Sequence, residues 1–471
     1  MAGIGFELKK LYGKDGGVFR TVGAMGYSVV TTIGPTLLIV LALIASNIIM
    51  TRLKIGEYEK MVFSGSVLYC FIGGLLITSI FDTVISRYVS DRIFGDEYEK
   101  LLPAVQGSAA MFALILGAIG TAFALALHLI GQLDIYFCLM VFLLFVGVGM
   151  TFGMSIFVTA IKAYKRITLA YLIGSVLIVG VSLVCYYLLD MPLGHSMITG
   201  FALGFLCICV HLFLYLNLSF PKGDGSYFQY FSAIKENKLL LISGLFYVMG
   251  LYVHNIVFWV DSDLQLVAAE ILYSAPSYDM ASFLAMLTSI TSVVIFVVRV
   301  ETNFYTQYKG YCESVISRDL NAINLNREKM TRTLINEVFF VGEFQLIITI
   351  VIMSLSMTLL PLIGISGITL DIYPLLSLGY YAVFMMHILM IFMYYFDDQS
   401  GAAFTGVLFF VLTLVFTLIT RYLGIAYYGL GLVLSGVICW MVAFIRLRSI
   451  MYGIDYKMFC DNLKEKNINA A

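Results

Sequence analysis

The chain has 471 residues, of which 61% are hydrophobic and 12% charged, and its net charge is −1. Soluble domains carry about 25% charged residues, whereas here the apolar residues form runs of roughly 20–28 residues, each long enough for one membrane-spanning helix. These proportions exclude a soluble enzyme, a nucleic-acid-binding protein and a disordered chain, and they predict an all-α polytopic membrane protein.

Twelve spans are predicted from hydropathy. Their approximate ranges are 22–50, 62–86, 104–131, 135–161, 167–189, 196–219, 239–260, 278–299, 337–361, 373–396, 402–420 and 426–445. Basic residues stay on the cytoplasmic side of a membrane, and 24 of the 28 Lys and Arg residues fall in alternate segments. This bias predicts that both termini are cytoplasmic.

The N-terminal region combines an amphipathic segment with a proline-containing span. Apolar residues recur at helical spacing between residues 4 and 12, which favours a helix at the membrane surface. Gly34 and Pro35 lie inside the first span. Since proline removes an intrahelical hydrogen bond, we expect a bent, mobile helix here.

The second span carries a polar face. Ser79, Asp82, Ser86 and Ser90 follow one another at steps of three and four residues, beside Arg87. Placing a charge at the bilayer centre costs at least ~2.5 kcal/mol, so such residues are functional candidates. The face either lines a cavity or forms a packing seam in which Asp82 bonds to a neighbouring hydroxyl or to Arg87.

Later spans add further polar candidates. His254 lies in the middle of the seventh span, and Arg299 closes the eighth near its inner boundary, where snorkelling is an alternative role. The ninth span begins with Glu337 and has Glu343 two turns further in. Glu343 occupies the more costly position, which makes it the stronger candidate for binding cargo or an ion.

The spans divide six and six. We predict an N-terminal bundle over 1–219, a cytoplasmic linker over 220–238 and a C-terminal bundle over 239–471, the last including a cytoplasmic loop at 300–336 and a cytoplasmic tail. Cys312, Ile316, Leu320 and Ile323 recur at helical spacing in that loop and predict one amphipathic helix at the membrane surface. The motif Gly200-x-x-x-Gly204 fits close helix packing in lipid.

Sites for catalysis and metal binding are not evident in the sequence. It has no Walker A motif, no nucleophile–base pair and no metal-ligand cluster. We therefore predict a protein that is not an enzyme and that carries no metal or cofactor, with H⁺ or Na⁺ left open as a coupling ion.

Three segments resemble a known family. The opening MAGIGFELKKL, the Gly34-Pro35 pair and the segment SRYVSDR over 86–92 are similar to the PelG family, the membrane transporters of the Pel exopolysaccharide system. The resemblance implies the fold of the multidrug/oligosaccharidyl-lipid/polysaccharide (MOP) exporter superfamily, with two six-helix bundles facing a central cavity. It also implies a cytosolic glycosyltransferase and membrane proteins that respond to cyclic di-GMP as partners.

Together these observations predict a transporter in the bacterial cytoplasmic membrane. It would export an amino-sugar polysaccharide or its precursor for a biofilm matrix, with polysaccharide and membrane lipids as its contacts and no nucleic acid. Asp82, Ser86, Arg87, His254, Arg299 and Glu343 are the candidate cavity residues. The alternatives are a flippase for another lipid-linked glycan, a multidrug antiporter of the same superfamily, and a non-conducting scaffold of a polysaccharide synthase.

Overall fold

A computed structural model describes residues 18–161, 163–223, 226–260, 262–296, 300–317, 319–362 and 367–457. Within these ranges, eleven helices are long and apolar enough to cross a membrane. The predicted multi-pass, helical architecture is therefore confirmed. The predicted amphipathic segment at 4–12 and the end of the C-terminal tail lie outside the described residues.

The chain divides into two compact units, residues 1–279 and 280–471. The helices of the first unit are α1 Val18–Arg52, α2 Glu57–Phe94, α3 Leu101–Leu129, α4 Ile135–Ala160, α5 Tyr164–Leu188, α6 Leu193–Ser219, α7 Tyr230–Glu236 and α8 Lys238–Val260. A short 3₁₀ turn, Tyr98–Lys100, precedes α3. Each predicted span from the first to the seventh thus corresponds to one long helix.

Small residues allow α5 and α6 to pack closely. A Cβ atom on Gly200 would lie 2.1 Å from Ser182 Oγ and 2.4 Å from the carbonyl oxygen of Ile178, and one on Gly204 would lie 2.3 Å from Ile178 Cγ1. These distances are shorter than contact, so only glycine permits this approach. The predicted role of the Gly200-x-x-x-Gly204 motif in packing is confirmed.

A β-hairpin interrupts the helical fold after α8. Strand β1 (Leu266–Ala268) pairs antiparallel with β2 (Leu272–Ser274), and Ala268 lies opposite Leu272. Ala269 and Glu270, in the loop between the strands, have positive φ angles of 47° and 57°. The hairpin is an exception to the predicted all-α architecture, and it packs against α2 through buried Leu272, which faces Gly65.

The second unit contains most of α9 and the remaining helices. The helices are α9 Pro276–Leu287, which begins in the first unit, α10 Ile290–Ile295, α11 Glu301–Ser317, α12 Leu320–Leu362, α13 Ile368–Tyr395, α14 Gln399–Arg421 and α15 Leu430–Tyr452. A 3₁₀ turn, Ile425–Tyr427, lies between α14 and α15. The predicted spans nine to twelve correspond to parts or all of α12 to α15.

The predicted eighth span, 278–299, is not one continuous helix. It breaks at Thr288 and Ser289, between α9 and α10. Thr288 Oγ1 donates to the carbonyl of Ala285 and Ser289 Oγ to the carbonyl of Met286. Hydroxyl side chains that bond nearby carbonyls compete with the helical hydrogen-bond ladder, and both residues at this break make such bonds.

The predicted loop 300–336 is also different in the structure. It comprises α11 and the first part of α12, which is a single helix of 43 residues and is about 64 Å long at 1.5 Å per residue. The predicted amphipathic row is divided by the break after Ser317: Ile316 and Leu320 are exposed, whereas Ile323 is buried. The ninth span is thus the second half of a helix that begins well before it.

The structural division falls later than the predicted linker at 220–238. Helix α8 packs against α2 and therefore belongs to the first compact unit, and the linker itself contains α7. The division into functional bundles at 220–238 stays a prediction.

Candidate functional site

Asp82 lies on the predicted polar face of α2, and its side chain is exposed. Ser86 Oγ donates to Asp82 Oδ1 over 3.5 Å, which is long for a hydrogen bond between oxygen atoms. Among the side chains that the structure describes, none forms an ion pair with this carboxylate. Asp82 therefore keeps most of its capacity to accept hydrogen bonds or to bind a cation.

Arg87 and Ser90 continue this face toward the end of α2. Arg87 Nε lies 4.0 Å from Asp91 Oδ2, and Ser90 Oγ donates to the carbonyl of Ser86 at 2.8 Å. The packing-seam interpretation gave Asp82 two possible partners, a neighbouring hydroxyl and Arg87. Of these two, the hydroxyl of Ser86 contacts Asp82. The structure thus brings Asp82 and Ser86 together and places Arg87 beside Asp91.

Helix α8 approaches α2 one turn before Asp82. A Cβ atom on Gly244 would lie 2.4 Å from the carbonyl oxygen of Ser79, so glycine permits the two backbones to meet there. Ser79 is buried and donates to the carbonyl of Leu76. One part of the polar face is therefore a helix-packing seam, and the part that carries Asp82 is exposed.

His254 belongs to a buried polar cluster around the start of α9. Its Nδ1 lies 3.0 Å from the hydroxyl of Tyr278, and its side chain is fully buried. The adjacent Asp279 accepts hydrogen bonds from Asn255 Nδ2 at 2.7 Å and from Trp259 Nε1 at 2.9 Å. The backbone nitrogen of Ala275 also donates to Asp279, over 3.1 Å.

Asp279 was missed as a candidate because its side-chain partners are remote in sequence. They lie on α8, 20 and 24 positions earlier, and no local motif links them to a carboxylate that follows a proline at a helix start. With three donors in place, Asp279 has fewer free acceptor positions than Asp82. The cluster around it is suited to holding α8 against the start of α9.

Aromatic rings extend this cluster to α2 and α3. The ring of Tyr69 stacks on Trp259, with centroids 5.4 Å apart, and on Phe123, with centroids 5.9 Å apart. The Tyr69 hydroxyl donates to the carbonyl of Tyr273 in the hairpin, over 3.0 Å. The hairpin, α2, α3 and α8 are thereby fastened together on one side of the first unit.

The two glutamates of the ninth span differ from expectation in burial. Glu343 is exposed, and the described part of the chain offers it no hydrogen-bond or ion-pair partner. Glu337 is buried and accepts a hydrogen bond from Asn303 Nδ2 on α11 at 2.8 Å. The position expected at the interface is thus enclosed, and the one expected deeper in the span is open.

Gln345 donates a hydrogen bond to a backbone carbonyl at the helix break in the second unit. At the break Ser292 N bonds to the carbonyl of Ser289, and the carbonyl of Thr288 accepts instead from Gln345 Nε2 at 3.3 Å. The same amide nitrogen lies 2.9 Å from Thr349 Oγ1. Gln345 and Thr349 are fully buried, and they form a polar patch that the sequence analysis did not identify.

The remaining candidates are the Gly34-Pro35 pair of α1 and Arg299. Helix α1 continues through Pro35. Gly34 is buried, and Thr168 of α5 lies beside it. The bend and mobility of α1 stay a prediction. Arg299 lies outside the described residues.

Asp134, in the turn before α4, is held by two contacts. Burial raises the pKa of this carboxyl, whereas hydrogen bonds from the Phe137 backbone nitrogen and from His195 lower it. The lowering effects together are larger, so the pKa lies below its ordinary value. His195 Nε2 lies 2.6 Å from Asp134 Oδ1. Asp134 is thus an anionic cap for α4.

Similarity to solved structures supports the fold. The chain matches an outward-facing multidrug resistance MATE family transporter of the MOP superfamily with a TM-score of 0.64 and 13% identity, covering 92% of this chain and 96% of the other. A MOP superfamily transporter from Pyrococcus furiosus matches with a TM-score of 0.63, 13% identity and the same coverage. At this identity the likeness shows the fold alone.

The family assignment comes from the sequence. Comparison with curated proteins finds no significant relative. The family described as "PelG: Putative exopolysaccharide Exporter (EPS-E)" matches over residues 1–459. Because this match covers nearly the whole chain, the protein belongs to the PelG family of exopolysaccharide exporters and has the fold of a MOP superfamily transporter.

Proposed function

We propose that this protein exports a Pel-type amino-sugar polysaccharide, or its precursor, across the cytoplasmic membrane without a catalytic step of its own. The family match and the MOP transporter fold support transport of a polysaccharide. The exposed carboxylate of Asp82, with one weak hydrogen bond, is the observation on which the site assignment rests.

A carboxylate of this kind suits a cationic cargo. A partly deacetylated amino-sugar polymer carries ammonium groups, and an ammonium–carboxylate contact is stronger in a site of low dielectric constant than in water. Ser86 adds a hydroxyl next to Asp82, and hydroxyl groups hydrogen-bond to sugars. We assign Asp82 and Ser86 to cargo contact in the first unit, and Glu343 to the same role in the second.

Alternating access is the mechanism that we infer from the transporter fold. A coupling ion, either H⁺ or Na⁺, would bind the same exposed carboxylates when cargo has left. The proposed location is the bacterial cytoplasmic membrane with both termini in the cytosol. The proposed partners are a cytosolic glycosyltransferase and membrane proteins of a synthase complex regulated by cyclic di-GMP.

The test is export by Asp82→Asn and Glu343→Gln variants in cells that lack the native gene. Each change removes the charge and keeps the side-chain shape. The loss of one charge-assisted contact is worth about 1.5–3 kcal/mol, so we expect export to fall about tenfold or more. The measurement is surface polysaccharide per unit of transporter in the membrane.

Glu59→Gln is the matched control, because Glu59 is an exposed carboxylate in the first turn of the same helix as Asp82, outside the predicted span. It should leave export unchanged. If both Asp82→Asn and Glu343→Gln export normally, the site assignment is wrong. If the cells secrete polysaccharide without the transporter, the proposed function itself fails.

A further inference from the structure

A groove opens in the second unit between α12 and α15, with Leu389 of α13 at its wall. Its volume is about 890 Å³, within the ~300–1,000 Å³ of ligand-binding pockets. Every residue of its lining belongs to the second unit, and none of the candidate transport residues is among them. The groove is therefore separate from the proposed cargo contacts.

Polarity changes along the groove. On α12 the lining from Asn324 to Thr331 is polar except for Leu325, and the lining from Leu334 to Phe339 is apolar. The whole stretch from Asn324 to Phe339 is about 22 Å long at 1.5 Å per residue, more than the ~15 Å of one hydrocarbon leaflet. The apolar walls are accessible from outside the protein, since Ile335 is 43% and Phe339 58% exposed.

The polar end carries a positive charge that acidic side chains do not neutralise. Arg327 is paired with Asp455, and Glu328 with Arg332 at 2.9 Å. Arg448 contacts the Tyr452 hydroxyl over 3.4 Å, and its guanidinium lies 5.6 Å from the centroid of the same ring. Among the described residues no carboxylate forms an ion pair with Arg448, so its charge is available to a ligand.

We propose that this groove binds an anionic diacyl phospholipid. Its phosphate would contact Arg448, and the parts of its acyl chains nearest the headgroup would lie along the apolar walls. Three features support a lipid: the groove lies along a membrane-spanning helix, polar side chains concentrate at one end of it, and at that end Arg448 has no ion pair with a described carboxylate. Basic pockets between transmembrane helices bind anionic headgroups. Lipid binding in this groove does not require the proposed cargo.

The test is lipid binding to the purified full-length protein. Phosphatidylglycerol and phosphatidylcholine are titrated separately into the detergent-solubilised protein, and bound lipid is counted by native mass spectrometry. We expect the protein to prefer phosphatidylglycerol. Arg448→Gln should weaken phosphatidylglycerol binding about fivefold, as the loss of one basic residue near a membrane surface implies. It should weaken phosphatidylcholine binding less, because the choline cation of that headgroup offsets the charge of its phosphate.

Arg421→Gln is the matched control. Arg421 also contacts a tyrosine, with its Nη2 2.7 Å from Tyr422 Oη, but it does not line the groove. The Arg421→Gln variant should bind both lipids as the wild type does. Equal binding of the two lipids by the wild type, or an Arg448→Gln variant identical to Arg421→Gln, would overturn the proposal.

A second pair of variants tests the acyl-chain wall. Ile335→Trp narrows the groove and should weaken the binding of both lipids. Ile347→Trp, on the same helix and 60% exposed, lies outside the lining and should weaken neither. If Ile335→Trp binds lipid like Ile347→Trp, the groove is not where the acyl chains lie.

Discussion

Asp82 and Asp398 show two ways in which this apolar chain accommodates a carboxylate. Asp82 is exposed and weakly bonded. Asp398 is 5% exposed, precedes α14, and receives two bonds from Arg446, at 2.7 Å from Nε and 2.9 Å from Nη2. The first arrangement leaves the carboxylate available to a ligand, and the second fixes the end of a helix.

Asp398 makes the stability of the protein depend on pH. Burial raises the pKa of this carboxyl, but bonds from Arg446 and Ser400 outweigh it, and the net pKa is below its ordinary value. A depressed pKa in the folded state stabilises the protein above the unfolded pKa of about 3.9, and this stabilisation is lost as the pH falls through the folded value. We expect Asp398→Asn to lower stability by about 2 kcal/mol at neutral pH.

Thermal unfolding in detergent at pH 7 and at pH 3 measures this effect. The difference in Tm between wild type and Asp398→Asn should be largest at pH 7 and should shrink at pH 3. Asp371→Asn is the control, because Asp371 is an exposed acidic residue in the first turn of α13. A difference that stays constant with pH would contradict the assigned role of the ion pair.

The sequence was informative about single residues only where the relevant contacts are local. Ser86 is one helical turn from Asp82, so its proximity could be predicted from spacing. Asp279 and Glu337 receive their hydrogen bonds from α8 and from Asn303 on α11. Contacts between separate helices depend on how those helices pack, and hydropathy does not contain that information.

Helix α5 and helix α6 illustrate packing at the scale of elements. The contact distances at Gly200 predict that Gly200→Ala forces these helices apart, because a methyl group would meet the Ile178 carbonyl at 2.4 Å. Overpacking of this kind typically costs about 1–3 kcal/mol. We expect a lower Tm for Gly200→Ala in detergent.

Gly180 provides the matched comparison on α5. A Cβ atom there would have no neighbour within 4 Å, and alanine is the better helix former by about 1 kcal/mol. Gly180→Ala should therefore leave the Tm unchanged or raise it. Similar Tm values for the two alanine variants would show that the α5–α6 contact tolerates the methyl group.

The break between α9 and α10 shows a limit of hydropathy at the same scale. Threonine and serine barely lower the mean hydropathy of a long apolar run, so the run 278–299 has the composition of a span. The hydroxyl groups of Thr288 and Ser289 nevertheless bond to carbonyls three residues earlier. Whether a helix continues through such a site depends on partners such as Gln345, which lies 57 positions from Thr288.

For the whole molecule, the apolar runs predicted most of the architecture. A span needs about 20 apolar residues, so run length located the eleven helices, among the described residues, that are long and apolar enough to span a membrane. The boundary between compact units after Asp279 was not predictable, since it arises from the packing of α8 on α2. The orientation in the membrane rests on charge and remains a prediction.

Fusion reporters test that orientation. With 24 of the 28 basic residues on the predicted inner side, the positive-inside bias predicts a cytoplasmic C-terminus. A fluorescent protein fused after residue 471 should fluoresce, and alkaline phosphatase fused at the same point should be inactive. Active phosphatase there would place the C-terminus outside and contradict the predicted cytoplasmic position of that terminus.

The 43 residues of α12 form a rod about twice as long as the ~30 Å hydrocarbon layer. A rod of that length works as a lever. A tilt of about 10° around one tip would sweep the opposite tip through about 11 Å, given a rise of 1.5 Å per residue. Spin labels near residue 320 would thus register small rocking movements of the helix that are hard to detect within the bilayer.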